Sequence, residues 1–546
     1  MRPGTNRTLL LAAALLLTGC TSDSAPVLRT GDPGAEPGGV LRVAITTPGT
    51  VDPGNVYEPA GDLVVRTLCA PLLATDPETS QVVPSIVSSY LVSDGGASLT
   101  LRLRDDVVFS DGTPLTAEDV AFSLSRIASA EFASTSAELL TPIDGYGEVH
   151  GDIPTDADLD RRRLRGVRVG DKSLQISLVQ PLSDFVRLLT SPLLAPVSEQ
   201  AAERDPDGFA RNPLCVGPYQ LDQPYAPGDD ALRLVRSAAY TPVDSSLSRG
   251  GRSYADAIEF RFYGDAPAAA AAVAAGEADV APARPQDTEG VQTGPGPAIE
   301  YLGLPAAAPG FEEPVVRRAL ALAVDRQELV QRLFPRSREP AEGFLPATAQ
   351  AQDSCDGLPP GGDAAGAREL LAGAGADLTG VRVPFYFNDE LGNRELVAEV
   401  TRQLREAVGL TAVPMPMTFP EYLAKAATPQ GFDGLFRFSW SVPHPSVDGY
   451  LHPLFSTDRI GRDNLSRFSD PDVDRAITRI ARAAEDDQDR ELGYAQVAEL
   501  LCAAMPIVPL TTSLSRWLVS KEWTSAVGEA VDGSTGQVLL RELYQR

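Results

Sequence analysis

Apolar and polar positions first fall into a regular order at Val40-Leu41-Arg42-Val43-Ala44-Ile45-Thr46. The alternation there, turning wholly apolar at its end, predicts a strand entering a sheet. Asp52-Pro53 to Pro59 reads as a loop, and Leu63 to Leu73 carries helical apolar spacing. Leu99 to Arg104 alternates strictly and predicts a half-buried or edge strand, ended by Asp105-Asp106. Val107 to Phe109 predicts a second short strand, and Ser110-Asp111-Gly112-Thr113-Pro114 is turn chemistry. Thr116 with Asp119 three positions on predicts a capped helix, whose apolar face is Val120, Phe122, Leu124 and Ile127. Later, Phe436 and Phe438 alternate on a strand that runs into the proline-rich Pro443-His444-Pro445. Alternating aromatics of this kind usually pack inward.

The N-terminus has a different pattern. Arg2 and Arg7 precede a short apolar run, Leu9 to Leu17, which closes on Leu17-Thr18-Gly19-Cys20. This is an export signal, about half the ~20 apolar residues that a membrane span requires. The cysteine directly after Leu-Thr-Gly looks like a bacterial lipobox, so residues 1–19 are expected to be removed and Cys20 acylated. Two acyl chains anchor a protein stably where one does not. Residues 20–39, rich in Gly, Pro, Ser and Asp, are expected to form a disordered leash on the outer face of the cytoplasmic membrane.

The remaining length suggests two or three domains. The chain is 43% hydrophobic and 22% charged, ordinary for a globular protein. Its formal net charge of -27, or -29 without Arg2 and Arg7, excludes nucleic acid as a partner. Lysine is confined to Lys172, Lys425 and Lys521. Beyond Cys20 there are four cysteines, Cys69, Cys215, Cys355 and Cys502. An even number in an exported chain suggests disulfides, with three pairings open; four buried free thiols are the alternative.

Candidate chemistry is sparse. No Gly-x-Ser-x-Gly elbow, His-Glu-x-x-His motif, clustered Cys/His spacing or phosphate loop is present. The histidines are His150, His444 and His452. The last two stand eight residues apart, but Pro443, Pro445 and Pro453 argue against a regular helix joining them. A non-catalytic protein with no cofactor and no metal is expected.

The run from Pro84-Ser85-Ile86 to Asp119-Val120 resembles the signature of family 5 extracellular solute-binding proteins, the peptide- and nickel-binding group of ABC importers. Leu103-Arg104, Val107-Val108-Phe109, Asp111-Gly112-Thr113-Pro114 and Thr116 to Val120 stand in that family's order. Further stretches resemble it across nearly all of the mature chain: Asn212-Pro213 with Gly217-Pro218-Tyr219, Gly276 to Val280, Val316 to Arg326 and Met505 to Leu510. So do Val167 to Leu178 and the following Pro181 to Phe185, a helix in the family.

The resemblance implies an α/β, two-lobed, periplasmic-binding-protein-like fold with an additional small domain on the first lobe. Lobe I would be 40–66, 206–300 and 511–546, the extra domain 67–205, and lobe II 301–510. Disulfides rarely bridge lobes that must move, so this division pairs Cys69 with Cys215 and Cys355 with Cys502.

For the ligand, the resemblance points to the segment of Trp440, Ser441 and Val442; further candidates are Tyr57 in the loop after the first strand, Asn388 and Asp389 in the loop after the strand Val381 to Phe387, and Arg437 as a partner for a carboxylate. Peptide-binding members commonly read Ala-Asp-Tyr-Pro-Asp-Pro here, the first Asp pairing with the ligand amine; this chain has Ser441 at that position and His444 at the second Asp. A serine cannot neutralise a buried ammonium. Asp389 or Asp448 could compensate; otherwise the ligand is an acylated or cyclic peptide, a sugar or a chelate. The expectation is a monomer, lipid-anchored outside the membrane, that captures a small peptide-like solute and delivers it to ABC permease subunits. A sensory or interaction lipoprotein of the same fold is the alternative.

Overall fold

The computed structural model describes residues 36–76, 81–151, 163–182, 184–241, 253–306, 308, 310–349, 351, 354–390, 392–442, 444, 446–482 and 488–546. Cys20, the export segment and most of the leash lie outside the described residues.

The alternating stretch at Val40 forms strand β1 (Val40–Thr46), with Leu41, Val43 and Ile45 on its buried side. It pairs in parallel with β2 (Ala257–Tyr263). The capped helix forms as α1 (Ala117–Ala128), and Thr116 and Asp119 make both hydrogen bonds of the capping box. A very short helix, α2 (Phe185–Leu188), follows later than the Pro181 to Phe185 stretch suggests, with Asp184 before it. Two long strands pair antiparallel: β3 (Val291–Gly303) and, near the end of the chain, its partner (Ile507–Val519). Between them lie β4 (Arg382–Asn388), β5 (Leu435–Trp440), helix α3 (Asp448–Phe455) and helix α4 (Gln488–Ala504). The strand Ile507–Val519 is β6.

The side chains pack into three main hydrophobic clusters. One spans Ile299 to Leu510. A second combines Leu41 to Cys69, Leu193 to Val280 and Val519 to Leu543. A third runs from Ala70 to Val216 around a four-stranded antiparallel sheet, Val87–Ser93, Ser98–Leu103, Ser173–Ser177 and Val167–Gly170 in spatial order. The chain passes from the second cluster to the first along β3 and returns along β6. These two strands join the parallel-stranded sheets of both bodies into one path, with β5 and β4 on one side and β1 and β2 on the other. Their register slips between Pro295 and Ile299, in the Gly294-Pro295-Gly296-Pro297 run. Prolines donate nothing to a ladder, so the pairing is weakest where the bodies meet.

Cys69 is bonded to Cys215 and Cys355 to Cys502. Each bridge stays within one cluster. Near the first, the approach is close enough to require Gly217: a Cβ there would stand 1.8 Å from the Leu68 carbonyl oxygen.

Three local expectations shift. The helix read over Leu63 to Leu73 is Pro59–Leu68; Cys69 turns extended to meet its partner. Val107 to Phe109 makes only an isolated bridge, Val108 to Pro114, because proline cannot extend a ladder. Pro453 does lie within a helix, α3, which begins after Pro445 and is two turns long.

Candidate functional site

β5 lies between β3 and β4, so its residues sit at the junction of the bodies. Phe436 is fully buried and pairs with Gly303, while Phe438 is partly buried against Tyr301. Arg437 points the other way into a buried polar knot. Its Nε donates to Glu300, its Nη1 donates to Asn388 Oδ1 at 3.2 Å, and Glu300 also pairs with Arg338. Burial pushes the pKa of both Arg437 and Arg338 down to about 10. Asn388 is the last residue of β4, not in the loop beyond it; it is buried and also accepts from Asn393 Nδ2 at 3.1 Å. Arg437 and Asn388 are thus brought together, but each is engaged by protein. Asp389 is exposed and pairs with Arg394. Tyr57 is 72% exposed on the loop before the helix Pro59–Leu68, free of that knot.

Trp440 ends β5 partly buried, and its Nε1 donates to the Gly449 carbonyl at 2.9 Å. The origin of that acceptor is local. In a helix the Gly449 carbonyl would take the N–H of residue 453, but that residue is Pro453 and has none. The orphaned carbonyl takes the indole instead. Ser441 is exposed, and Val442 packs on the lobe core.

Past Val442 the chain meets the third cluster. A cavity of about 770 Å³ lies between the two, walled on one side by Glu138, Leu182, Asp184 and Phe185, and on the other by His444, Ser446, Asp448 and His452. Asp458 and Asp474 add two more acids. Asp184 is buried and fully partnered: it accepts from Arg490 at 2.5 Å, from the Ser446 hydroxyl, and lies 3.3 Å from Arg187. Burial alone would raise its pKa; Arg490, Arg187 and the Ser446 hydrogen bond outweigh that and hold it below its ordinary value. Burial pushes His444 down to about 4, against the pull of Asp184, so it is neutral at pH 7. Burial raises Asp448 to about 6, opposed by His452. His452 Nε2 is 3.3 Å from Asp458.

The arrangement offers a half-open, acid-walled cleft between separately packed bodies, the usual setting of a small-molecule site. Among the described residues no group of three or more His, Cys, Asp or Glu could hold a metal ion. None of their helices is long and apolar enough to cross a membrane.

The profile of the bacterial extracellular solute-binding proteins, family 5, middle region, matches residues 81–462. The chain belongs to this family. The glutathione-binding protein GsiB of Salmonella typhi is 25% identical to this solute-binding protein over 476 residues, covering 84% of this chain and 86% of its own. In fold, it resembles the periplasmic murein tripeptide binding protein MppA in its unliganded open form, with a TM-score of 0.79, 20% identity and coverage of 93% and 97%. It also resembles OppA of Haemophilus influenzae in complex with the peptide RPPGFSPFR, at a TM-score of 0.64, 18% identity and coverage of 94% and 100%. The two-lobed fold expected from the resemblance is therefore the fold of this protein. Asp184, Ser446 and Arg490 escaped sequence reading; the Ser-Asp step before Phe185 carries no motif, and its partners lie 262 and 306 residues away.

Proposed function

We propose that this protein captures a small peptide or peptide-like solute between its lobes and delivers it to the permease of an ABC importer, tethered by an acylated Cys20. In this reading residues 40–66, 206–300 and 511–546 form lobe I, 67–205 the extra domain and 301–510 lobe II. The observation that carries the proposal is the acid-walled cavity lined by Asp448 and by Gly449, the residue whose carbonyl takes the Trp440 indole, in a chain of a solute-binding family. Relatives whose names or complexes specify glutathione, a murein tripeptide and a nonapeptide favour peptide chemistry over sugars or chelates.

Asp448 is the acid we assign to the ligand amine, in place of Ser441. It lines the cavity, whereas Asp389 is exposed and already paired. Trp440 and Val442 wall the ligand, and Tyr57 meets it from the opposite lobe. Arg437 and Asn388 hold the wall rigid. An amine needs Asp448 ionised, so affinity should fall as pH drops through about 6.

Calorimetry of the mature protein against a panel of di- to nonapeptides, free and N-acetylated, tests this. Asp448→Asn should weaken free-amine peptides tenfold or more, about 1.4 kcal/mol, and N-acetylated ones little. Capture only of sugars or chelates, or of nothing in the panel and nothing co-purified from the native host, would sink the peptide reading.

A further inference from the structure

Asp184 precedes α2, yet its carboxylate makes no capping bond to that helix. In its own domain it pairs with Arg187, 3.3 Å away. Two of its partners, Ser446 and Arg490, belong to the other body, and all three residues are at least nine-tenths buried. A buried carboxylate is retained only where charge and hydrogen bonds compensate its desolvation. Here that compensation comes largely from across the seam.

The hydrogen-bond directions around Ser446 follow from this. A carboxylate held ionised only accepts, so the single Ser446 proton points at Asp184. Its lone pairs are then left for the Gly449 N–H, which donates to Ser446 Oγ at 2.9 Å. Gly449 in turn presents the carbonyl that Pro453 leaves free, and Trp440 Nε1 takes it. Arg490 is itself fixed by Tyr494, whose hydroxyl accepts from its Nε at 2.5 Å. An unbroken polar chain therefore runs from Arg490 through Asp184, Ser446 and Gly449 to the Trp440 indole.

We propose that Asp184 is a positioning residue for the capture site: the extra domain reaches across the seam and, through Ser446 and Gly449, sets the orientation of Trp440. The extra domain is then a working part of the site and not an appendage. This rests on the reading that Trp440 walls the ligand, but its test does not.

The protein has three tryptophans, Trp440, Trp517 and Trp523. Labelled with 5-fluorotryptophan, the mature chain should give three ¹⁹F resonances, with that of Trp440 assigned by Trp440→Phe. Asp184→Asn and Ser446→Ala should each shift or broaden the Trp440 resonance and leave the other two in place. Ser446→Ala keeps the Asp184–Arg490 pair, so it cuts the relay without stranding a buried charge. Ser446→Thr keeps the hydroxyl and should restore the wild-type position. A general structural effect would move all three resonances. A Trp440 signal unmoved by either Asp184→Asn or Ser446→Ala would overturn the proposal. Loss of peptide capture with the relay intact would instead count against the capture reading.

Discussion

Among the described residues, Glu542 is a buried acid with little compensation. Its Oε1 has no hydrogen-bond partner, and burial raises its pKa to about 8 against the opposing pull of Arg541. The folded state therefore keeps a proton that the unfolded chain releases near its ordinary value. Stability should fall as pH rises from about 4.5 through 8 and stay low above that. Glu542→Gln removes the titration. In denaturant unfolding at pH 9 the variant should exceed wild type by on the order of a few kcal/mol, with the gap closing towards pH 5. An equal gap at both pH values would show that the carboxyl is neutral or paired throughout. Asp448 obeys the same sign over a lower window, but there the raised value serves a site that an amine would occupy.

At the scale of elements, α3 is the informative case. Its two turns contain Pro453, and the helix survives because the freed Gly449 carbonyl has another donor. Pro453→Ala would supply a backbone N–H that competes with the indole. Hydrogen exchange at Trp440 Nε1 should then speed up while the helix itself becomes more protected, readable in ¹H–¹⁵N spectra; an unchanged indole would mean that the carbonyl serves both donors. What was legible beforehand follows the same division between local and distant causes. The capping box of α1 is written in four consecutive residues and forms as read. The strand β1 is written in its alternation. The helix over Leu63 stops short because Cys69 answers to Cys215, and no local pattern announces that. Asn388 stands at a strand end and Arg437 within a strand, both visible as polar residues, but their mutual bond and the tie of Arg437 to Glu300 depend on β3, β4 and β5 lying side by side. Asp184 was invisible for the same reason at greater range.

Across the whole molecule, the two disulfides span 146 and 147 residues but neither joins the first cluster to the second. In the chain-entropy account, loops of this length are worth roughly 5 kcal/mol each. Replacing Cys355 and Cys502 by Ser should lower the melting of the body built from Ile299 to Leu510. The Leu41 to Cys69 body should stay near its original transition, seen as two separated peaks in calorimetry. A single transition lowered as a unit would show instead that the bodies unfold together. The register slip in β3 and β6 favours separation, since few ladder bonds tie the bodies where they meet.

The Cys69–Cys215 bridge has one more consequence. Its two Cα atoms stand 5.3 Å apart, with all of the third cluster but Val216 strung between them. The domain thus leaves and re-enters its host through a single narrow neck. Such a neck brings the ends of the insert together, but the loop it closes also carries Leu193, Ala195, Val197, Ala202 and Phe209 of the second cluster, so a foreign domain grafted there would have to keep that return segment. The graft would inherit the scaffold but not the reach of Asp184, so the architecture allows the outer module to be exchanged while the inner wall is retuned from outside.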